Sequence, residues 1–375
     1  STNLRNKQYY IFNQPYTKEE YQDKLAEMNL GNRDTIDMLR DRMKELYLKS
    51  VHRYANIYRS VDVLGDNIED SKNCRYCFDL AGNAEDCKYC NWGTFGLKDS
   101  YDTGPGTGGR SEMTYEGVSI GVNNANCAFG TIVWYSNDLR YGFNCHNCQH
   151  VFGCVSLRDK QYCILNKQYS KEEYQKILPR VIEHMNSMPY RDKQGIEYRF
   201  GEHFPIEISP FAYNDTIAQE YFPISESEAL RRGYSWSQKE DGGYIISISG
   251  KDLPGDVSLV KDDILEKVIG CAHEEKCSHQ CPGAYRITPP ELDFYRKFGI
   301  PLPKLCFNCR HYARLEQRNP MKLWQRKCMC NGLDSSSLAA KHGHLGACEN
   351  VFQTPFSEDR AEIVYCEDCY NKEVV

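Results

Sequence analysis

Residues 73–90 read NCRYCFDLAGNAEDCKYC, and the unit NCRY at residues 73–76 returns as DCKY at residues 86–89. Further copies follow at a similar spacing, an imperfect one at Asp99 and others at Glu112, Asn126 and Asp138. Most copies run polar, apolar, polar, aromatic. This alternation predicts a strand in each unit, with the second and fourth side chains on one face of the strand.

The short spacing of these units decides which kind of fold they can build. The units follow each other closely, with glycine and asparagine in between, and leave no room for a helical crossover. A chain that coils on itself satisfies the spacing, because each rung then hydrogen-bonds to the next and like residues form ladders. We therefore expect a parallel β-solenoid over residues 60–168, in which two units form one coil.

A longer segment of the sequence occurs twice. Residues 157–175 read LRDKQYCILNKQYSKEEYQ and residues 4–22 read LRNKQYYIFNQPYTKEEYQ; extended to residues 178 and 25, the copies are identical at 14 of 22 positions. Each copy places Ser or Thr three positions before a glutamate, the capping-box pattern that starts a helix. We interpret the segment as a solenoid terminator made of a last strand, a turn and a capping helix. The first copy then either ends a further solenoid upstream of residue 1 or pairs with the solenoid of this chain.

Cysteine is over-represented, with 19 residues in a chain of 375, and ten of them fall between residues 271 and 369. An odd count and several Cys-x-x-Cys pairs favour metal sites in a reducing compartment over a disulfide framework. Zinc suits such pairs because two thiolates of one tight turn reach the same tetrahedral ion. We predict two structural zinc ions, each closed by four sulfurs: Cys277, Cys281, Cys306 and Cys309 in one site, and Cys328, Cys348, Cys366 and Cys369 in the other.

Some ligands of these two sites stay open at the level of sequence. Cys271 competes with Cys277 in the first site, and Cys330 competes with Cys328 in the second. Four histidines are further donors nearby, namely His273, His279, His342 and His344. Because four sulfurs leave no position for water, both sites are expected to be structural rather than catalytic.

The cysteine pairs inside the ladder, at positions 74/77, 87/90 and 145/148, allow two interpretations. They could be zinc knuckles, the first two of which would form one four-thiolate site. They could instead be small apolar rungs of an interior stack, where a free cysteine packs well. Equivalent positions hold Ser100, Met113 and Leu139, which cannot bind zinc as thiolates, so we favour the rungs.

The region around the first predicted zinc site carries a resemblance. Residues 281–310, CPGAYRITPPELDFYRKFGIPLPKLCFNCR, resemble the probable zinc-ribbon family, although Cys277 and Cys281 are one position further apart than in its first knuckle. Nearly the whole chain is similar to a group of uncharacterised bacterial proteins that combine such ribbons with KQY-x-I-x-N and KEEY segments. The shared stretches include residues 209–223 and 318–328. The resemblance implies zinc ribbons and brings no activity with it.

Charge is mild overall but uneven. The net charge is −6, and no apolar stretch is long enough for a membrane-spanning helix, so we expect a cytoplasmic chain without such a helix. Residues 301–330 are strongly basic, and arginine or lysine recurs at every fourth position from Arg310, which would align a stripe on a helix that Pro320 interrupts. Such a stripe is a candidate nucleic-acid site, formed by Arg310, Arg314, Arg318, Lys322, Arg326 and Lys327.

These features predict a mixed, β-rich fold with a parallel β-solenoid, flanking helices and a C-terminal pair of zinc ribbons. We divide it into a terminator strand and helices (1–59), the solenoid (60–168), a capping helix with an α+β connector (169–262) and a double zinc-ribbon domain (263–375). The favoured function is a zinc-binding scaffold that binds a protein partner or itself. Nucleic-acid binding is one alternative. A carbohydrate-active enzyme is another, resting on fold analogy and on the acidic cluster of Asp62, Asp66, Glu69 and Asp70; an enzyme is less favoured than a scaffold.

Overall fold

Parallel strands between residues 57 and 164 stack into a β-solenoid of about nine turns, and the predicted β-rich fold class is confirmed. The computed structural model describes residues 1–238, 242–274, 276–332, 344 and 346–374. Its strands are β1 Tyr10–Ile11, β2 Gln14–Pro15, β3 Val51–Arg53, β4 Ile57–Tyr58, β5 Leu64–Glu69, β6 Arg75–Ala81, β7 Tyr101–Thr103, β8 Glu112–Ile120, β9 Ala125–Ala128, β10 Thr131–Trp134, β11 Asn137–Arg140, β12 Phe143–His146, β13 Gln149–Phe152, β14 Gln161–Ile164, β15 Lys167–Gln168, β16 Tyr190–Arg191, β17 Glu197–Tyr198, β18 Ile248–Ser249, β19 Ile269–Gly270, β20 Ala284–Tyr285, β21 Trp324–Lys327, β22 Val351–Thr354 and β23 Ile363–Tyr365.

The helices of the described residues lie on both sides of the solenoid in the sequence. They are α1 Lys18–Glu27, α2 Arg33–Lys49, α3 Lys171–Ser187, α4 Ile217–Tyr221, α5 Glu226–Arg231, α6 Pro289–Phe298, α7 Phe307–Leu315 and α8 Glu367–Val374. Among these helices, none has both the length and the apolar character that a membrane span requires.

Each coil of the solenoid contains one repeat unit. Asn137 pairs in parallel with Gln149, and nearer the N-terminus Lys72 bridges to Glu85, so each partner lies a single unit further along the chain. The expectation of two units per coil is wrong, because a single unit of this length already closes a full turn. Successive repeat units in the sequence are therefore successive coils, stacked along the axis of the solenoid.

Side chains along the solenoid repeat with a period of three rather than two. Backbone φ is positive at every third position through most of it, including Asn73, Tyr76 and Asp79 at 54°, 54° and 55°. Asparagine and aspartate tolerate this left-handed region better than most residues, which explains why they recur in the units. The next residue points inward, so Cys74 and Cys77 are fully buried while Tyr76 is 43% exposed. The predicted strand alternation is wrong: the second side chain of a unit lies inside and the fourth lies outside.

The solenoid cysteines pack as rungs of an interior column. Cys74 and Cys87 are at most 1% exposed, and the thiol of Cys74 donates to the carbonyl oxygen of Lys72 at 3.3 Å. Ser100 continues the same column, and its hydroxyl makes the same bond, to the carbonyl oxygen of Lys98 at 2.7 Å. Cysteine and serine are thus interchangeable at these rungs because both satisfy the same carbonyl acceptor.

Two further details define this interior column. Thr114, not Met113, is the inward residue of its coil: Thr114 is 1% exposed and pairs with Cys127, whereas Met113 is 51% exposed. Burial raises the pKa of the Cys127 thiol to about 12, so this thiol stays protonated at neutral pH. None of the groups of metal-ligating atoms found in the described residues draws on a solenoid cysteine.

The repeated segment has the same structure in both copies. In the second copy β14 is the last parallel strand, β15 pairs with it antiparallel, and α3 begins at the capping box of Ser170 and Glu173. The predicted last strand, turn and helix are found there, and α3 packs its apolar face on the outer side of the last coils instead of over the end rung. In the first copy β1 pairs with β2, and α1 begins at the capping box of Thr17 and Glu20. Within the described residues, this first hairpin is a sheet separate from the solenoid, so the alternative in which it pairs with the solenoid is not found.

An aromatic column runs along the outside of the solenoid, with neighbouring ring centroids 4.7 to 6.3 Å apart. At its C-terminal end the rings are buried beneath Phe200 and Phe204 of the connector. At its N-terminal end the rings are 37–43% exposed, and we call this part the open half of the column. The column comprises Tyr76, Tyr89, Tyr101 and Tyr115, which form the open half, followed by Phe129, Tyr141 and Phe152.

Two cysteine-rich modules follow the connector. The first module, residues 269–315, contains β19, β20, α6 and α7, and the second module, residues 324–374, contains β21, β22, β23 and α8. The second module lies against the chain that enters the first coil. β23 pairs in parallel with β3, the Thr354 hydroxyl donates to the carbonyl oxygen of Tyr54 at 2.6 Å, and Arg53 forms an ion pair with Glu367 at 2.5 Å. This module therefore covers the N-terminal end of the solenoid, whereas α3 packs on the outer face of the last coils.

Candidate metal centres

The first module brings four sulfur atoms together in its interior. Cys271 follows β19, Cys281 precedes β20, Cys306 is the N-cap residue of α7, and Cys309 lies in the first turn of α7. All four are at most 3% exposed, and their sulfurs lie within 4.8 Å of one another. The sulfurs of Cys281 and Cys306 are 3.7 Å apart. A tetrahedron with metal–sulfur bonds of about 2.3 Å has edges of about 3.8 Å, so this group fits one ion.

Backbone N–H groups point at these sulfurs and favour their thiolate form. The N–H of Cys306 donates to the sulfur of Cys271 at 3.3 Å, and the N–H of Gly283 donates to the sulfur of Cys281 at 3.4 Å. Burial acts against ionisation of Cys271, but hydrogen bonds from the backbone of Cys306 and His273 lower its pKa overall. Burial raises the pKa of Cys281 to about 12. A metal ion must therefore displace at least one proton on entering the group.

One ligand of the first site differs from the sequence prediction. Cys271, the alternative ligand, completes the four-sulfur group in place of Cys277. Cys271 reaches the site because β19 pairs with β20, which brings it across from Cys281. Cys277 lies on the other side of Cys309, with the two sulfurs 3.6 Å apart, and is grouped there with two histidines.

The second module repeats this construction with the four cysteines that the sequence indicated. Cys328, Cys348, Cys366 and Cys369 are at most 6% exposed, and their sulfurs lie within 4.8 Å of one another. The N–H of Cys366 donates to the sulfur of Cys328 at 3.2 Å, as Cys306 donates to Cys271 in the first module. The amide of Asn350 donates to the sulfur of Cys366 at 3.4 Å, a ligand-supporting contact that sequence reasoning missed because an isolated asparagine carries no signal.

Further donors border the second four-sulfur group. Cys330, which competed with Cys328 in the sequence, lies beside the group together with His344 and next to Cys369. Cys328 and not Cys330 therefore belongs to the four-sulfur group. His342, another donor that the sequence suggested, lies outside the described residues.

The basic residues between 304 and 327 do not form one helical stripe. α7 ends at Leu315, before Pro320, so only the first two of the six candidates lie on that helix. Arg310 lies 3.3 Å from the hydroxyl of Tyr295, partly inside the first module. The predicted alignment is wrong, because the chain turns away from the helix axis before the third basic residue. Of the six candidates, Arg310 and Arg314 lie on α7, Arg318 and Lys322 lie in the link between the modules, and Arg326 and Lys327 lie in β21.

Several of these cations are engaged by the chain itself. Arg318 forms an ion pair with Asp79 of the solenoid at 2.7 Å and donates to the hydroxyl of Tyr221 at 2.9 Å. Arg326 donates to the carbonyl oxygen of Ser357 at 3.1 Å. The adjoining Asn319 donates to Asp66 of the solenoid at 3.3 Å. The link between the two modules therefore anchors them to the first coils.

The acidic cluster near residue 66 is likewise occupied by structural contacts. Asp66 is 3% exposed and accepts the backbone N–H of Asn56 at 2.7 Å. The Asp70 carboxylate accepts a hydrogen bond from Nε of Arg59 at 2.6 Å, and this bond lowers the pKa of the Asp70 carboxyl. A general acid needs the opposite change, a raised pKa, so Asp70 does not fit that role.

Comparisons with known proteins place the chain in no family. No protein-family model matches it, and no curated protein matches it either.

Proposed function

We propose that this protein is a zinc-dependent structural protein, in which zinc ions hold two ribbon-like modules folded and these modules secure one end of a β-solenoid scaffold. The observation that carries the proposal is the composition of the module cores. In the first module, the buried cluster at the site consists of four cysteines, and among the described residues Cys277, Tyr285 and Leu305 pack against it. The larger apolar side chains of the module, such as Ile269 and Leu292, belong to a separate cluster. Zinc would supply the stability that such a cluster lacks in apolar side chains.

Zinc is the metal that the donor set favours. Four thiolates in a buried, closed group suit a soft or borderline tetrahedral ion, and oxygen-seeking ions such as magnesium prefer carboxylates and water. The resemblance of residues 281–310 to the probable zinc-ribbon family supports the same choice. With four sulfurs around it, each ion would have no open position for a substrate, so its role would be structural.

The structural role is tested by removing the metal from the full chain. After purification without added metal, elemental analysis should find zinc, and treatment with a strong chelator should make residues 269–374 sensitive to limited proteolysis. Residues 112–164, the coils furthest from the modules, should stay resistant because their interior needs no ion. A chain that contains no zinc, or one whose modules resist protease equally with and without chelator, would overturn the proposal.

We further propose that the solenoid presents a binding face to a second copy of the chain. The open half of the aromatic column supports this proposal. The C-terminal end of the same column is already covered by Phe200 and Phe204, which shows that these rings accept an aromatic covering. Tyrosine is enriched at protein interfaces, and a row of exposed rings can pack against a second copy of itself across a twofold axis.

Self-association is measured by sedimentation velocity over a range of concentrations. The wild type should shift from monomer to dimer as concentration rises, and a Tyr89→Ser, Tyr101→Ser variant should stay monomeric. Tyr190, which is 49% exposed but lies outside the column, gives the matched control Tyr190→Ser. A wild type that stays monomeric, or a column variant that dimerises as the control does, would exclude this face as the contact between copies.

A further inference from the structure

A second set of metal-ligating atoms lies beside the four-sulfur group of the first module. His273, Cys277, His279 and Cys309 each offer one ligand atom, and these four atoms lie within 4.8 Å of one another. Cys309 belongs to both groups. The sulfurs of Cys277 and Cys309 are 3.6 Å apart, close to the tetrahedral edge of about 3.8 Å for metal–sulfur bonds of about 2.3 Å.

The two histidines of this set are oriented as metal ligands are. The Nδ1 atoms of His273 and His279 are buried and have no hydrogen-bond partner among the described residues. The opposite nitrogen of His279, Nε2, lies 3.4 Å from a carboxylate oxygen of Glu316. Tyr312 stacks on the ring of His279 at 5.1 Å and 1° between planes. A carboxylate on one ring nitrogen and a metal on the other is the common arrangement around metal-bound histidine.

We propose that the first module binds two zinc ions, which share the thiolate of Cys309 as a bridge. One ion takes Cys271, Cys281, Cys306 and Cys309, and the other takes His273, Cys277, His279 and Cys309. This proposal rests on the proposed zinc-dependent fold and extends it. Each ion has four ligands, and the bridge explains why Cys277 lies next to the first group without belonging to it.

Charge favours the two-ion arrangement. One zinc with four thiolates carries a net charge of −2, and a fifth thiolate with a second zinc brings the total to −1, because the added ion contributes two positive charges and the added thiolate one negative. A smaller buried charge costs less desolvation energy. The second ion would also give the two buried Nδ1 atoms a binding partner, and a buried polar atom without a partner costs free energy of folding.

The second module also carries extra donors beside its four-sulfur group, one of them at a matching position. Cys330 stands two positions after Cys328, as His273 stands two positions after Cys271, and both follow the first ligand of their module. The Nε2 atom of His344 lies 3.7 Å from the sulfur of Cys330 and 3.4 Å from that of Cys369. The edge between nitrogen and sulfur of a tetrahedral zinc site is about 3.6 Å. A second-ion position beside the shared knuckle cysteine thus recurs in an independent part of the chain.

The test counts ions on the full chain by native mass spectrometry, after reconstitution with zinc and removal of loosely held metal. A His273→Ala, His279→Ala variant should hold one zinc fewer than the wild type while the four-sulfur groups stay filled. The matched control is His311→Ala, since His311 lies on α7 of the same module but pairs with Glu220 instead of the donor set. Equal ion counts in the wild type and the double variant would overturn the proposal.

A second readout separates a bridged pair from two independent ions. In the cobalt-substituted wild type, a shared thiolate should couple the two ions magnetically and lower the magnetic moment per ion. Cys277→Ser removes a ligand of the second ion only, so it should abolish the coupling while the tetrathiolate absorption of the first ion remains. A wild type that binds no metal would refute the zinc-dependent fold. A wild type that binds both ions of the first module without magnetic coupling would refute only the shared thiolate.

Discussion

Serine substitution should separate cysteines that pack in the solenoid from cysteines that we propose bind metal, and the structure gives the size of both effects. Cys87 donates its thiol to the carbonyl oxygen of Glu85 at 3.3 Å, and Ser100 makes the same bond in the same column. Cys87→Ser therefore keeps its hydrogen bond and trades a thiol for a satisfied hydroxyl. We expect a loss of about 1 kcal/mol in the free energy of unfolding, with no change in bound zinc.

Cys281→Ser should behave very differently. A structural zinc ion contributes an apparent free energy of about 10–16 kcal/mol, so one of four ligands accounts for about 3–4 kcal/mol, which weakens zinc binding by roughly 100- to 1,000-fold. The assay is competition with a chromophoric zinc chelator for the ion, together with urea unfolding followed by circular dichroism. If Cys87→Ser releases zinc, the solenoid cysteines are ligands and their assignment as rungs fails. If Cys281→Ser retains zinc at wild-type affinity, the four-sulfur group is not a metal site.

Three further perturbations test the parts of the structure that surround the metal centres. Ser170→Ala removes the N-cap of α3 and should cost about 1 kcal/mol in urea unfolding; an unchanged midpoint would show that the capping box does not stabilise the solenoid end. Arg318→Ala breaks the partly exposed ion pair with Asp79, and the free energy of unfolding should fall by no more than about 1 kcal/mol. Proteolysis of the link between the modules should become faster. An unchanged rate of proteolysis would mean that this link does not anchor the modules. Zinc uptake should release protons because burial raises the pKa of Cys281 and of Cys328 to about 12, and the affinity for zinc should therefore fall as pH falls. Calorimetry in buffers of different ionisation enthalpy measures the proton release. An affinity that does not change with pH would argue against thiolate ligation.

The solenoid could be predicted from the sequence because its repeat is visible as similar residue types at a nearly constant step. The periodicity within a coil could not be read correctly, since NCRY alternates like a strand. The left-handed φ at Asn73 and again at Tyr76 interrupts the extended backbone, and a period of three replaces the period of two. The signal was present in retrospect: asparagine, aspartate and tyrosine recur at every third position, and Asn and Asp are the residues that tolerate left-handed backbone.

The metal centres were less predictable at one position only. Seven of the eight cysteines named from the sequence lie in the two four-sulfur groups, and the pairs at 306/309 and 366/369 were the clearest signal because each lies within one short turn. Cys271 was harder to assign because its position depends on the pairing of β19 with β20. Strands this short leave no recognisable pattern in the sequence. The basic stripe failed for a related reason: a step of four predicts a helix, but α7 ends at Leu315 and tertiary contacts decide where Arg318 goes.

The cysteines of this chain solve two opposite problems of packing. One repeat unit encloses only a few inward side chains, and the fully buried Cys127, Val133 and Leu139 show how narrow that interior is. Small side chains fill it completely, so stability grows with each added coil but the two ends stay open. At the C-terminal end β15 pairs with the last parallel strand, and α3 packs apolar side chains on the outer face of the last coils. The second module covers the N-terminal end with a core made largely of sulfur. Loss of metal should therefore open the solenoid from its N-terminal coils first, and hydrogen exchange on the chelated chain would show this as faster exchange at Ile57 and Ile68 than at Val151.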